Sequence, residues 1–165
     1  MIVVSDTTPL ISLLKIDRID ILEKLFGKVF IPQAVFNELT VDARFQLEAE
    51  QIREKAFVVV KSVDNLESAS ILKRATGLDQ GESEAIVLTD ELKADLLLMD
   101  EAKGRNVSVQ IGLRIMGTIG ILMAAYEEQE LTADEVRACV NGLQRSGCHI
   151  GQRHYQMLLD RLKDE

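Results

Sequence analysis

Ile2-Val3-Val4-Ser5-Asp6 is the stretch that decides the fold of this chain. A short, continuous β-branched run followed at once by polar residues is typical of a strand buried on both faces of a parallel sheet. A second run, Leu96-Leu97-Leu98-Met99-Asp100, has a similar form and also ends in an aspartate. Ligands of open parallel sheets bind outside the carboxyl ends of the strands, so we expect Asp6 and Asp100 to approach one another there.

The rest of the chain alternates between the patterns of strands and helices. Val29–Ile31 and residues 57–60 are further strand candidates, and residues 107–115 hold a less regular one. Apolar spacing and helix-favouring composition predict helices at residues 9–14, 21–25, 32–39, 43–55, 66–75, 79–92, 117–130, 132–145 and 151–163. This alternation predicts an α/β fold, a three-layer α/β/α sandwich with a central, mostly parallel sheet. With no linker or repeat in sight, residues 1–165 are predicted to form a single domain.

Composition and charge exclude several classes of protein. The 165 residues are 47% hydrophobic and 28% charged, which is an ordinary globular composition and not a disordered one. The net charge of −8, without any basic run, excludes a protein that holds nucleic acid mainly by neutralising phosphates. The N-terminus does not resemble a signal peptide, and charges interrupt every apolar run, so we expect a soluble, cytoplasmic protein without membrane contact.

Cys139, Cys148, His149 and His154 are the only cysteines and histidines of the chain. A structural zinc site needs four ligands at characteristic spacings, and no Cys-x-x-Cys pair is present here. Buried thiols and solvent-facing imidazoles are therefore the favoured interpretation.

The positions of Asp6, Asp100 and Glu38 can each be explained by local structure or by a role in a functional site. Asp6 and Asp100 precede predicted helices, where aspartate is a preferred N-cap residue. Their shared position after apolar strands favours a joint site instead, because caps need not lie on one edge. Glu38 lies late in its helix, where the helix dipole disfavours an acid, so a nearby cation or plain solvent exposure must account for it.

Glu82 and Glu84 lie in the first turn of the helix that Asp79 opens. Asp79 is predicted to be the N-cap, and Glu82, three residues later, completes a capping box. Acids in the first turn are also favoured by the helix dipole, so a purely local role is sufficient for both.

Six segments spaced along the chain form an ordered set of motifs. They are Ile2-Val3-Val4-Ser5-Asp6-Thr7-Thr8-Pro9-Leu10, Ile31-Pro32-Gln33-Ala34-Val35-Phe36-Asn37-Glu38-Leu39, Asp79-Gln80-Gly81-Glu82-Ser83-Glu84-Ala85-Ile86, Leu97-Leu98-Met99-Asp100-Glu101, Gly104-Arg105 and Gly117-Thr118-Ile119-Gly120-Ile121-Leu122. Their order resembles the PIN-domain family, and within it a branch of small prokaryotic, toxin-like proteins. The similarity runs almost end to end, and several motifs in order are more specific than any one of them.

The resemblance implies a site of four acids that binds one or two divalent cations, Mg²⁺ or Mn²⁺. Carried over by position, three of the acids are Asp6, Glu38 and Asp100, all catalytic and metal-binding. The remaining acid is Glu82 or Glu84: Glu82 better keeps the usual distance to Asp100, whereas Glu84 precedes a small and an apolar residue as the family's aspartate does. We favour Glu84. A glutamate in place of the family's aspartate lengthens this ligand by one methylene.

Two further residues are candidates for supporting roles. Thr8 is similar to a hydroxyl that supports the first aspartate in such proteins, although it is equally suited to capping the following helix. Arg105, with Lys103 nearby, is the best local candidate for a phosphate contact, since a guanidinium matches phosphate oxygens. A surface ion pair between Arg105 and Glu101 is the alternative.

The function that the resemblance implies is hydrolysis of RNA phosphodiester bonds by a metal-dependent endoribonuclease, leaving a 5′-phosphate and a 3′-hydroxyl. Similar proteins of this size are often toxins of toxin–antitoxin pairs and often dimerise, which implies an antitoxin partner and a homodimer. A catalytically degenerate module that binds RNA or a protein is the main alternative. A response-regulator-like or phosphatase-like protein is disfavoured, because no lysine follows a late strand.

Overall fold

One parallel β-sheet organises the protein, whose computed structural model describes residues 1–148 and 150–162. Within these residues the sheet has five strands in the order β3-β2-β1-β4-β5, and every neighbouring pair is parallel. The strands are β1 (Val3–Ser5), β2 (Val29–Ile31), β3 (Val58–Val60), β4 (Leu96–Leu98) and β5 (Ile115–Met116).

Helices connect the strands and complete the chain. They are α1 (Thr7–Lys15), α2 (Asp20–Phe26), α3 (Gln33–Val41), α4 (Gln46–Glu54), α5 (Leu66–Thr76), α6 (Gln80–Glu91), α7 (Ala102–Gln110), α8 (Thr118–Glu127), α9 (Ala133–Arg145) and α10 (Gln152–Leu162). No helix in the described part of the chain is long and apolar enough to cross a membrane.

Successive strand residues point to opposite faces of the sheet and bury two apolar cores. Val3 and Leu98 belong to the first core, together with side chains from α1 to α4 and from α8 to α10. Val4 and Leu97 belong to the second core, together with side chains from α5, α6 and α7. Both faces of the sheet are therefore covered by helices, and the predicted three-layer α/β/α sandwich is confirmed.

The order of the strands brings the two aspartate-bearing ends together. β1 is the central strand and pairs with β4, with Ser5 opposite Leu98. The N–H of Asp6 continues this ladder by donating to the carbonyl of Leu98, with a nitrogen–oxygen distance of 3.0 Å. The backbone of Asp6 therefore lies beside Leu98 at the end of β4. Asp100 follows Leu98 by two residues.

Two local expectations need correction. Residues 107–110 of the segment 107–115, predicted to hold a strand, lie in α7, and β5 is the two-residue strand Ile115–Met116 after the turn at Gly112, whose φ is +85°. The helix predicted at 43–55 is divided, because Asp42 caps a 3₁₀ turn at Ala43–Phe45 before α4 begins. The described sheet is parallel throughout, which confirms the predicted mostly parallel sheet. Lys163, at the end of the last predicted helix, lies outside the described residues.

Gly104 is a position on α7 that has no room for a side chain. A Cβ there would clash with Sδ of Met99 and would lie 3.2 Å from Oε2 of Glu82. Met99 is fully buried, so we expect Gly104→Ala to lower the free energy of unfolding by about 1–2 kcal/mol despite the better helix propensity of alanine.

Urea denaturation measures this loss, with Asn106→Ala on the exposed side of the same helix as the control. The control should stay within about 0.5 kcal/mol of wild type. A Gly104→Ala protein as stable as wild type would mean that Met99 moves aside at no cost.

Candidate functional site

Asp6 lies at the carboxyl end of the central strand and is almost fully buried, with 4% of its surface exposed. It occupies the N-cap position of α1, yet its side chain makes no capping hydrogen bond to that helix. The capping interpretation of Asp6 therefore does not account for its buried carboxylate.

Five carboxylates surround a cavity of about 150 Å³, which we call the acidic cavity. The side chains that contribute them are Asp6, Glu38, Asp79, Glu82 and Glu101, and Thr7 and Thr8 also line the cavity. Among these side chains, the hydroxyl Oγ1 of Thr7 donates a hydrogen bond to Oε2 of Glu38 at 2.8 Å. The hydroxyl of Thr7 thus supports Glu38, whereas the support of Asp6 by Thr8, which is exposed and lines the same cavity, stays a prediction.

The crowding of these acids changes the protonation of Asp6. The pKa of Asp6 is raised to about 7, mainly by burial and further by the carboxylates of Asp79, Glu82 and Glu38, whereas the N–H of Thr7 acts in the opposite direction. Asp6 is therefore about half protonated at neutral pH when no cation is bound.

One carboxylate oxygen of Glu82 accepts a hydrogen bond, and the other does not. The predicted capping box is present: the N–H of Asp79 donates to Oε1 of Glu82 at 3.1 Å, and the N–H of Glu82 donates to Oδ1 of Asp79 at 2.7 Å. Oε2 of Glu82 is buried and has no hydrogen-bond partner in the structure. Burial also raises the pKa of Glu82. An unpartnered buried oxygen costs about 1–3 kcal/mol, which a bound cation would recover.

Glu84 lies outside the acidic cavity. Its Oε1 accepts from the N–H of Ala34 at 3.2 Å, in the first turn of α3, and its Oε2 accepts from Nε2 of Gln80 at 2.7 Å. It lines a separate cavity of about 660 Å³ beside α3 and α6, which Glu38 and Asp79 also border. Oε1 of Glu84 thus joins α6 to α3, whereas its Oε2 is bound within α6. The preference for Glu84 over Glu82 as a metal ligand stays a prediction.

Asp100 is held firmly next to the acidic cavity. The N–H of Thr118 donates to its Oδ1 at 2.7 Å, and Oγ1 of Thr118 donates to its Oδ2 at 2.6 Å. Asp100 thus binds the start of α8, while Glu101 is the N-cap of α7. The sequence had not singled out Thr118, although its position directly after Gly117 at a helix start could have indicated it.

Arg105 and Asp100 line a third cavity, of about 260 Å³, to which Thr8 also belongs. Thr8 therefore borders both this cavity and the acidic one. None of the ion pairs among the described residues involves Arg105, so the alternative of a surface pair with Glu101 is not observed there.

The acidic cavity has the chemistry of a site for a hard divalent cation, although its side chains do not form a coordination shell as placed. No three histidine, cysteine or acidic side chains of residues 1–148 and 150–162 converge closely enough to hold a metal ion. The donors are nevertheless all oxygens, as Mg²⁺ and Mn²⁺ prefer, and Oε2 of Glu82 has no partner. Glu38 and Asp79 are exposed on the solvent side of the cavity, although Glu38 accepts a hydrogen bond from Thr7 and Asp79 accepts one from Glu82.

A zinc site has no comparable support. Cys139 and Cys148 line different cavities, and His154 accompanies only Cys148. His149 lies outside the described residues.

Comparison with known proteins places the chain in a family. No curated protein matches the sequence. A family model described as a PIN domain matches residues 2–164, almost the whole chain. PIN domains have a nuclease-type fold and generally use divalent metal ions, in agreement with the parallel sheet and the acids at its carboxyl edge. This chain belongs to the PIN domain family.

Proposed function

We propose that this protein is an endoribonuclease that hydrolyses RNA phosphodiester bonds with Mg²⁺ or Mn²⁺ bound in the acidic cavity. The observation that carries the proposal is the burial of Asp6 beside Glu82, whose Oε2 is unpartnered, among three further carboxylates. Such a cluster of like charges is costly without a cation, so its presence favours a metal-binding role.

Asp6 and Glu82 are the residues that would hold the cation most directly, because both are buried and face the same cavity. Glu38 and Asp79 would complete the oxygen ligands from the exposed side. A bound divalent cation supplies a nucleophile at neutral pH and offsets the charge that develops on the phosphate.

The remaining contributions come from the chain itself. Thr7 orients Glu38 through its hydroxyl, and Thr118 orients Asp100 through its N–H and its hydroxyl. Asp6 would be held as the carboxylate by a bound cation, because a nearby positive charge lowers its pKa from about 7, and its proton would pass to solvent. Arg105, which has no ion pair among the described residues, is available for a phosphate of the substrate.

The biological setting belongs to the same proposal and is supported by the family resemblance alone. Small PIN proteins often act as toxins of toxin–antitoxin pairs and often dimerise. We therefore extend the proposal to a cytoplasmic toxin that forms a homodimer and is inhibited by an antitoxin protein.

Cleavage of a single-stranded RNA by wild type and by Asp6→Asn, each with Mn²⁺ and with EDTA, tests the proposed activity. Wild type should cut only with the metal, and Asp6→Asn should not cut, because one buried ligand is lost. Asp90→Asn, an exposed aspartate at the far end of α6, is the matched control and should cut like wild type.

Equal cutting by wild type and Asp6→Asn would identify a contaminating ribonuclease. If neither protein cuts any RNA tested while Mn²⁺ also fails to bind, the catalytically degenerate binding module replaces the enzyme.

A further inference from the structure

The cavity of about 260 Å³ that contains Arg105 has no role in the metal chemistry above. We call it the Arg105 cavity, and it adjoins the acidic cavity because Thr8 lines both. Its size is just below the roughly 300–1,000 Å³ of pockets that hold drug-sized molecules. That volume suits a single nucleotide and not a longer segment of RNA.

The Arg105 cavity is much less acidic than its neighbour. Five carboxylates line the acidic cavity, whereas the described residues that line the Arg105 cavity include one carboxylate, Asp100, and one guanidinium, Arg105. Both oxygens of Asp100 accept hydrogen bonds from Thr118. The guanidinium of Arg105 is left without an ion pair in the described part of the chain. An anion that is repelled by the acidic cavity therefore finds an unpaired cationic group in the adjoining cavity.

Gly117 keeps the space between Arg105 and Asp100 open. A Cβ at this position would lie 2.9 Å from Nη1 of Arg105 and 2.9 Å from Oδ1 of Asp100. Its φ of −92° is accessible to any residue, so the requirement for glycine is space and not backbone conformation. A side chain at this position would press on the guanidinium and on the carboxylate at once.

The apolar part of the cavity lining, which we call the apolar wall, suits a flat, partly apolar group. Ile119, Leu143 and Ile150 provide apolar surface, and the imidazole of His154 lies at the same cavity. Proteins that bind single-stranded RNA hold unstacked bases against apolar, imidazole and guanidinium groups in this way. The chain has no Trp and only 4% aromatic residues, so few other places could stack a base.

We propose that the Arg105 cavity binds the nucleotide next to the bond that is cut, with its phosphate on Arg105. Its base lies between the apolar wall and His154. This inference rests on the proposed ribonuclease activity and adds where the substrate is held. A single nucleotide gripped in this way also explains how a chain with a net charge of −8 binds RNA without a basic stripe.

Binding of a nucleoside 5′-monophosphate in EDTA tests the proposal without any cleavage. Isothermal titration should detect adenosine or uridine 5′-monophosphate, and Arg105→Ala should weaken the binding about 10- to 100-fold through loss of charge-assisted hydrogen bonds. Arg74→Ala, an exposed arginine on α5 far from the cavity in sequence, is the matched control and should bind like wild type. Thermal melting of each variant verifies that it is folded.

Cys148 locates the bound nucleotide, because its thiol lines the Arg105 cavity while Cys139 is buried elsewhere. The nucleotide should slow alkylation of Cys148 by N-ethylmaleimide at least about fivefold at saturation, in proportion to the occupied fraction. Inorganic phosphate and ribose 5-phosphate at the same concentration should protect much less, because they lack a base.

Three results would overturn the proposal: no nucleotide binding at millimolar concentration, equal binding by Arg105→Ala and wild type, or equal protection by inorganic phosphate. The last of these would reduce the cavity to a simple anion site. Each can occur while wild type still cuts RNA with Mn²⁺, so a failure here is distinguishable from a failure of the proposed activity.

Discussion

Glu82→Gln is expected to lower metal-dependent RNA cleavage by about 100-fold or more, whereas Glu84→Gln should remain within about threefold of wild type. The reason is where each carboxylate lies. Glu82 faces Asp6 in the acidic cavity and has a buried oxygen without a partner, whereas both oxygens of Glu84 are bound by Ala34 and Gln80. The two substitutions are chemically identical and only two residues apart, so each is the control for the other.

Two measurements check this prediction. Initial rates of RNA cleavage with Mn²⁺ compare the activities, and titration of Mn²⁺ against each folded variant compares the affinities for the metal. We expect Glu82→Gln to lose both activity and affinity. If Glu84→Gln loses more than Glu82→Gln in both measurements, the acid chosen by position in the sequence is the ligand, and the side chains rearrange when the cation binds.

Asp6→Asn is expected to make the metal-free protein more stable at pH 8 by as much as about 4 kcal/mol, since one pKa unit corresponds to about 1.36 kcal/mol. The pKa of Asp6 is about 7 in the folded protein and 3.8 ordinarily, because burial and neighbouring carboxylates disfavour its charge. Between these two values the folded state binds more protons than the unfolded state. Stability therefore falls as pH rises from about 4 to about 7, and it stays low above that range.

Urea denaturation in EDTA at pH 5 and at pH 8 measures this effect. The asparagine side chain of the variant does not titrate, so the gap between Asp6→Asn and wild type should widen from pH 5 to pH 8, whereas Asp90→Asn should show no such change. Mn²⁺ should narrow the gap at pH 8, because it stabilises wild type by about 2.7 kcal/mol at 100 times its Kd and leaves Asp6→Asn unchanged. A gap that is the same at both pH values would show that Asp6 is ionised throughout and that its burial is not costly.

Several features follow from neighbouring residues and were predictable. The capping box between Asp79 and Glu82 forms as expected, because the first turn of any helix brings the N-cap and the third residue together. The strands that begin at Val3 and Leu96 are buried on both faces, as their uninterrupted apolar runs predicted. The α/β architecture follows from the alternation of such strands with helices.

The strand expected within residues 107–115 shows where local patterns fail. Val107 and Val109 have strand-favouring side chains, yet both lie in α7. The helix is favoured by its cap at Glu101 and by the burial of Gly104 and Ser108 on its inner side. Residue preference for strands is a weak signal, and tertiary contacts override it.

For the acids of the site as well, the sequence predicts some features and only the tertiary structure decides others. The residue types and their places after β1, after β4 and at the start of α6 can be read from the chain, because they depend on local periodicity. Glu82 and Glu84 are about 200° apart around α6, so their carboxylates must point to opposite sides of the helix. Which side faces Asp6 depends on how α6 is rotated against α3, α5 and the sheet, and Asp100 finds its partner Thr118 eighteen residues away. Packing between distant segments sets both outcomes, and it leaves Oε2 of Glu82, rather than an oxygen of Glu84, without a partner beside Asp6.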